Sequence, residues 1–141
     1  MLSNPDKSLL DFLNRKKILS SELIALQSDA SKRKYYRSKI KENSFLIMDS
    51  SSEKESLKNF VKISDWLRKK GYSSPNILYK ETSKGYCILE DFGDTKFSEL
   101  KNKKEQYSLT VELLKSLSQQ KPPKFLKNYS ELIFKQELNL F

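Results

Sequence analysis

The sequence predicts an α+β fold in which about five antiparallel strands and one long helix precede a run of further helices. Short apolar runs bounded by turn residues recur before residue 50 and again between residues 76 and 89, as in the strands of a sheet. Residues 53–70 instead carry apolar side chains at helical spacing, and helical patterns return after residue 95. The predicted order is therefore helix, three strands, helix, two strands, and then helices.

The first helix is predicted over residues 4–17, where the apolar side chains form one stripe. Asn4 is the expected N-cap, and Pro5 suits the first helical position because its missing N–H is not needed there. Asp6 suits the same end because the helix dipole is positive at the N-terminus.

Three strands are predicted next, over residues 20–28, around residues 35–40 and over residues 45–48, with turn residues between them. Helix 53–70 follows, with acidic residues in its first turn and basic residues in its last, as the helix dipole favours. Gly71 is the expected end of this helix.

Residues 76–80 and 85–89 are predicted to form a hairpin, because a turn-forming stretch of small and polar residues separates two apolar runs. Pro122-Pro123 separates the last two of the later helices. Those later helices are expected over residues 96–101, 103–119 and 129–141.

Composition excludes several classes of protein. Eight phenylalanines, seven tyrosines and one tryptophan are too many for a disordered chain. The sequence has no histidine, which excludes a Ser-His-Asp triad, a histidine general base and a histidine metal site. No apolar run approaches the roughly 20 residues of a membrane helix, and the first residues lack a signal-peptide pattern. These two absences lead us to expect no membrane partner. The single Cys87 cannot form an intrachain disulfide, so we expect a cytoplasmic protein.

The charge balance favours a phosphate-bearing partner, with 27 Lys and Arg against 18 Asp and Glu and a net charge of +9. Most lysines are scattered over all segments, as on a solvated surface, and only four basic residues are arginines. No helix-turn-helix, RNP or zinc signature is present, so no nucleic-acid partner is expected and a basic nucleic-acid-binding domain is the least favoured alternative. The exception to the scatter is the basic cluster at residues 32–41.

A candidate phosphate loop lies between the first two strands, at Ser28, Asp29, Ala30 and Ser31, with Arg33 directly after it. A tight turn of small residues leaves backbone N–H groups free to approach phosphate oxygens, and an arginine adds donors and charge. On composition alone, a polar hairpin turn with a basic strand face remains the alternative.

The stretch from Ser28 to Arg37 resembles the Gly-Asp-Ala-Ser-x-Arg-x-Tyr-x-Arg loop of the aminoglycoside phosphotransferase superfamily. Within that superfamily it is most similar to bacterial kinases that act on the anomeric hydroxyl of N-acetylmuramate and N-acetylglucosamine. Ser28 stands where the family has glycine. Further resemblances follow in the family's order at Leu46–Asp49, Ser74–Leu78, Ile88–Asp94, Tyr107–Pro123 and Tyr129–Phe141.

The resemblance implies a protein-kinase-like N-terminal lobe over residues 1–93 that binds ATP with Mg²⁺. Residues 94–141 would then be the hinge exit and the start of a truncated helical C-terminal lobe. The phosphates would meet the loop at residues 28–33, and the adenine edge would meet the hinge backbone at Leu89, Glu90, Asp91 and Phe92. An acidic turn is the alternative interpretation of the hinge.

The resemblance assigns no catalytic or metal-binding residue to these positions, since the family carries them on a His-x-Asp-x-x-x-x-Asn-type loop in the C-terminal lobe. The third-strand lysine of kinases is missing, so phosphate charge would fall to Arg33, Lys32 or Lys34. Glu53 and Glu55 are candidates for an ion pair with the loop, although a helix-dipole role is favoured for both.

We therefore expect the nucleotide-binding part of an ATP-dependent small-molecule kinase with a sugar-like acceptor, inactive as this chain alone. The helices after residue 103 would carry apolar side chains left without a partner. The alternative is a catalytically dead, pseudokinase-like binding module.

Overall fold

The computed structural model describes residues 4–18, 23–27, 32–40 and 43–139. The chain divides into two compact units, one ending at Gly93 and one beginning at Asp94. In the first unit the described elements are α1 (Lys7–Arg15), β1 (Ile24–Ala25), β2 (Lys34–Ile40), β3 (Asn43–Asp49), a 3₁₀ turn (Ser51–Glu53), α2 (Lys54–Lys69), β4 (Ile77–Glu81) and β5 (Tyr86–Glu90).

The five strands form one antiparallel sheet in the order β1-β2-β3-β5-β4, and α2 connects β3 to β4. The sheet and the element order confirm the predicted α+β class. Strand β3 is central because it pairs with β2 on one side and with β5 on the other, in register at Tyr36↔Ile47 and Ile47↔Ile88.

The alternation of side chains along the strands gives the sheet two buried faces. On one face Ile47 and Ile88 pack with Phe12 and other residues of α1. On the other face Met48 and Cys87 pack with Leu57 and Val61 of α2. Because successive strand residues point to opposite sides, the continuous apolar runs of β3 and β5 serve both layers at once.

The predicted start of α1 is wrong, because Asp6 and not Asn4 is the N-cap. The Asp6 carboxylate accepts a hydrogen bond of 2.8 Å from the Leu9 backbone N–H, and Asp6 itself has extended backbone angles. Pro5 therefore lies before the helix. Either polar residue can cap a helix, and the choice between them depends on which one's oxygen reaches an orphan N–H.

Strand boundaries also differ from those predicted. Only Ile24–Ala25 is a strand within the predicted stretch 20–28, of which residues 20–22 and 28 lie outside the described residues. Conversely, β2 and β3 each extend over seven residues and pair along their full lengths.

The predicted hairpin of β4 and β5 is confirmed, and its turn is tied to the end of β3. The Ser50 N–H donates to the Gly85 carbonyl over 2.8 Å, and Gly85 has φ +89°. A Cβ atom at Gly85 would lie 2.7 Å from the Ser50 carbonyl oxygen and 2.7 Å from the Ser51 Cα. Only glycine fits this turn without moving the backbone.

The second unit is helical, with a 3₁₀ turn at Phe97–Glu99, α3 at Lys103–Ser118 and α4 at Glu131–Leu138. Neither α3 nor α4 has a buried residue. None of the described helices combines the length and apolarity needed to cross a bilayer. As expected from the sequence, large apolar side chains of these two helices are exposed: Tyr107, Leu109, Val111, Leu113, Leu114, Leu132, Phe134 and Leu138.

Candidate functional site

The predicted phosphate loop is only partly within the described residues. Ser28, Asp29, Ala30 and Ser31 lie outside them, whereas Arg33 is described and stands directly before β2. The geometry of the site can therefore be built from Arg33 and from what surrounds it.

Arg33 is held against the first turns of α2. Its Nη2 donates a hydrogen bond to the Ser56 hydroxyl, and its guanidinium carbon lies 6.0 Å from the centroid of the Phe60 ring. A hydroxyl and an aromatic face together orient a planar guanidinium better than either alone. The result is a fixed cation beside the N-terminal end of α2, where the helix dipole is also positive.

Arg33 differs from its basic neighbours Lys32 and Lys34 because its side chain contacts α2. Lys32 and Lys34 are exposed, and Lys34 pairs in register with Asp49 at the start of β2. Strand alternation puts Lys34 on the same side as buried Tyr36, away from α2. Of the three basic residues predicted to neutralise phosphate, Arg33 is the one that contacts α2.

The third strand supplies apolar side chains where kinases have lysine. Leu46 and Met48 lie on the α2 side of the sheet and pack in its core.

The two acidic residues at the start of α2 have other surroundings. Glu55 forms an exposed ion pair of 2.9 Å with Lys58, and hydrogen bonding to Lys58 lowers the pKa of this carboxyl. Glu53 lies at the N-cap position of α2 without a side-chain capping bond.

A second polar cluster lies farther along β2, around the carboxylate of Asp91, and includes Arg37 in the middle of that strand. Arg37 Nε donates to Asp91 Oδ2 over 2.6 Å, and Arg37 Nη2 donates to Oδ1 over 3.0 Å. The Ser44 hydroxyl donates to Oδ2, and the Gly93 N–H donates to Oδ1 over 2.9 Å. The side chain of Asp91 is 4% exposed and that of Arg37 is 19% exposed, so little solvent weakens this pair.

This environment keeps Asp91 ionised. Burial by itself would raise the pKa of the carboxyl, but the hydrogen bonds from Arg37, Ser44 and Gly93 outweigh it. They lower the pKa from its ordinary 3.8 to about 2. A charged acceptor with four donors is the arrangement that favours the ionised form most strongly.

The predicted hinge residues differ in what their backbone does. Leu89 is buried in β5 between its partners Leu46 and Ile77. The Glu90 N–H donates to the Asn76 carbonyl over 2.9 Å, so this group already has a partner. The chain leaves the sheet after Glu90, and Phe92 is 59% exposed.

Sequence reasoning missed the Arg37–Ser44–Asp91 cluster. Arg37 entered only as the last residue of a motif and as part of the basic cluster at residues 32–41, Asp91 entered only through its backbone, and Ser44 was not singled out. A usable signal was the spacing of Arg33 and Arg37, since residues four apart on a strand share a face. The partner of Arg37 could not be read in the same way, because it lies 54 positions away.

A cavity of about 380 Å³ opens at the same end of the sheet as Asp91. Ser44 lines it and also donates to Asp91, which joins the cavity wall to the polar cluster. In the part of the chain that the structure describes, no group of three or more His, Cys, Asp or Glu side chains could hold a metal ion.

No protein-family model matches the sequence. The chain is 29% identical over 124 residues to the N-acetylmuramate/N-acetylglucosamine kinase of Pseudomonas aeruginosa strain PAO1, covering 86% of this chain and 37% of that protein. It is 28% identical over 125 residues to the protein of the same name in Pseudomonas putida strain KT2440, with the same two coverages. The chain thus spans little more than a third of the curated relatives it matches, and the matches indicate a relationship to sugar kinases.

Proposed function

We propose that this chain is the nucleotide-binding part of an ATP-dependent sugar kinase, with a protein-kinase-like N-terminal lobe over residues 1–93. The similarity to two proteins named as sugar kinases supports the reaction class. The order β1-β2-β3-β5-β4, with α2 between β3 and β4, agrees with the layout that the sequence resemblance implies. Residues 94–141 would begin the helical lobe of the complete enzyme.

The observation that carries the proposal is the fixed position of Arg33. Its hydrogen bond to Ser56 and its contact with Phe60 hold a cation directly before β2, two residues after the stretch at residues 28–31 that the sequence predicts to bind phosphate. Phosphate oxygens prefer guanidinium donors and backbone N–H groups together, and a preformed cation loses little freedom on binding. Arg33 would then neutralise phosphate charge in place of the missing third-strand lysine.

The proposal places the adenine base at the opposite end of β2. Arg37 follows Arg33 by four residues, which corresponds to about 13 Å at the rise of a β-strand. An extended nucleoside triphosphate bridges a separation of this order. Because the Glu90 N–H is already bonded to Asn76, the backbone of Asp91 and Phe92 is the favoured part of the hinge for contact with the base.

We further infer that the complete enzyme phosphorylates an amino sugar, while this chain binds ATP without transferring phosphate. The names of the two relatives support the acceptor class. The absence of histidine supports the second statement, because the resemblance places the catalytic base on a histidine-containing loop. Incubating the chain with Mg-ATP and N-acetylmuramate or N-acetylglucosamine should yield no sugar phosphate, and turnover would refute inactivity.

A titration of thermal stability with Mg-ATP tests the nucleotide site. A ligand that binds only the folded state stabilises it by about 2.7 kcal/mol at 100 times its Kd, which raises the melting temperature by several degrees. The shift should saturate, persist at high salt and disappear in Arg33→Ala. Arg15→Ala is the matched control. Arg15, in α1, makes an exposed ion pair with Glu81 of β4, so its replacement should leave the ATP-dependent shift unchanged.

A stable wild-type protein whose melting temperature ignores Mg-ATP would refute the nucleotide-binding proposal. It would favour the binding-module alternative, for which the exposed apolar side chains of α3 and α4 supply a surface. A shift that vanishes with added salt in both the wild type and Arg15→Ala would indicate unspecific attraction to the net charge of +9 instead.

A further inference from the structure

We propose that the side chain of Asp91 is a positioning residue that fixes the backbone leaving β5 so that it can receive a purine base. The inference rests on the proposed nucleotide-binding function and adds a role for a carboxylate that never contacts the ligand. Three observations lead to it: where the Asp91 contacts come from, how completely they occupy the carboxylate, and what they leave exposed.

The contacts of Asp91 join three strands that lie side by side. Arg37 is in β2, Ser44 is in β3, and Asp91 directly follows β5. The register places Arg37 opposite Leu46 and Phe45 opposite Glu90, so the guanidinium reaches across β3 to the residue that follows β5. The residue that follows β5 is therefore bonded to β2, which lies two strands away in the sheet.

The Asp91 carboxylate has each oxygen occupied twice. Oδ1 accepts from Arg37 and from the Gly93 N–H, and Oδ2 accepts from Arg37 and from Ser44. The bond to the N–H two residues later is the Asx-turn geometry, which defines the local backbone. A carboxylate whose two oxygens both accept hydrogen bonds within the protein stabilises the local structure and is not a ligand-binding group.

Phe92 lies between the two anchored positions, Asp91 and Gly93. Among the described residues no hydrogen bond involves the backbone groups of Phe92, and its side chain is exposed. The edge of a purine base pairs with backbone N–H and C=O groups that have no other partner. A backbone that is already fixed in place loses little entropy when the base binds. The anchors on each side keep that peptide in one orientation.

Comparing Mg-ATP with Mg-tripolyphosphate separates the base end from the phosphate end of the site. In calorimetric titrations, Asp91→Asn should weaken Mg-ATP about tenfold, because it removes the charge from a buried hydrogen-bonded pair, and should leave tripolyphosphate within about twofold. Ser44→Ala removes one of four donors and should weaken only Mg-ATP, by about threefold. Arg33→Ala should weaken both ligands, and Asp65→Asn on the exposed side of α2 is the matched control that should weaken neither.

Each outcome decides the proposal. Selective loss of Mg-ATP in Asp91→Asn and Ser44→Ala supports it, whereas equal loss of both ligands, or loss of neither, overturns it while the nucleotide site stands. If Asp91→Asn does not fold, Ser44→Ala alone gives the same comparison. Binding of neither ligand to the wild-type chain overturns the proposed function itself and this inference with it.

Discussion

Replacing Gly85 with alanine should destabilise the first unit far more than the same change at Gly71. Both glycines have left-handed backbone angles, φ +89° and φ +82°, which cost an L-residue about 1–2 kcal/mol. They differ in their surroundings, because a Cβ at Gly85 would lie 2.7 Å from two backbone atoms of Ser50 and Ser51, whereas nothing lies within 4 Å at Gly71. Moving packed backbone adds about 1–3 kcal/mol.

The expected losses in free energy of unfolding are therefore about 2–5 kcal/mol for Gly85→Ala and about 1–2 kcal/mol for Gly71→Ala. Urea unfolding followed by the fluorescence of Trp66, the single tryptophan, reports on α2 in the first unit. Both variants lose free energy because of their left-handed backbone angles. Subtracting the loss in Gly71→Ala from the loss in Gly85→Ala therefore leaves the cost of the close approach to Ser50 and Ser51. Equal losses in the two variants would refute the claim that the β4–β5 turn is packed against the end of β3.

Three further predictions follow from single contacts. Asp6→Ala should lower stability by about 1 kcal/mol in urea unfolding, because it removes the cap on the Leu9 N–H, whereas Asn4→Ala should change nothing; equal effects would contradict the assigned N-cap. Burial raises the pKa of the Cys87 thiol to about 12, so a thiol reagent at pH 8 should modify it only in urea, and rapid labelling of the folded protein would be inconsistent with that burial. The pKa of Asp91 falls from 3.8 to about 2 on folding, so ionised Asp91 stabilises the fold by about 2 kcal/mol at neutral pH. That stability is present above about pH 4 and is lost as pH falls towards 2, so the stability gap between the wild type and Asp91→Asn should narrow across this window; a constant gap would disprove the linkage.

The order of the elements could be predicted because the buried residues of a helix or a strand recur in the sequence at a characteristic spacing. The apolar spacing of residues 53–70 predicts a helix, and the structure has α2 at Lys54–Lys69. The continuous apolar run at residues 45–48 predicts a buried strand, and Ile47 and Met48 do face opposite layers. Patterns of this kind are local, so one sequence is enough to read them.

The contacts that close the fold could not be predicted, because they join residues far apart in the chain. Asn4 and Asp6 are equally suited to a cap by type, and only the position of Leu9 selects Asp6. Arg37 meets Asp91 only through the register of three strands, and register follows from packing of the whole sheet. The loop at residues 28–31 lies outside the described residues, so its role stays a prediction.

Arginine is informative in this chain because lysine is abundant. Three lysine ion pairs among the described residues join side chains only three or four positions apart: Lys58–Glu55, Lys84–Glu81 and Lys135–Glu131. The four arginines instead join separate segments: Arg15 to Glu81, Arg33 to Ser56, Arg37 to Asp91 and Arg68 to the Ser74 carbonyl. A planar guanidinium with five donors can hold two elements in one orientation, whereas an ammonium acts as a point charge on a flexible stem. The arginines in the basic cluster at residues 32–41 therefore mark fixed positions on the face of β2 that meets α2, and a change to lysine there keeps the charge but loses the geometry on which both proposals depend.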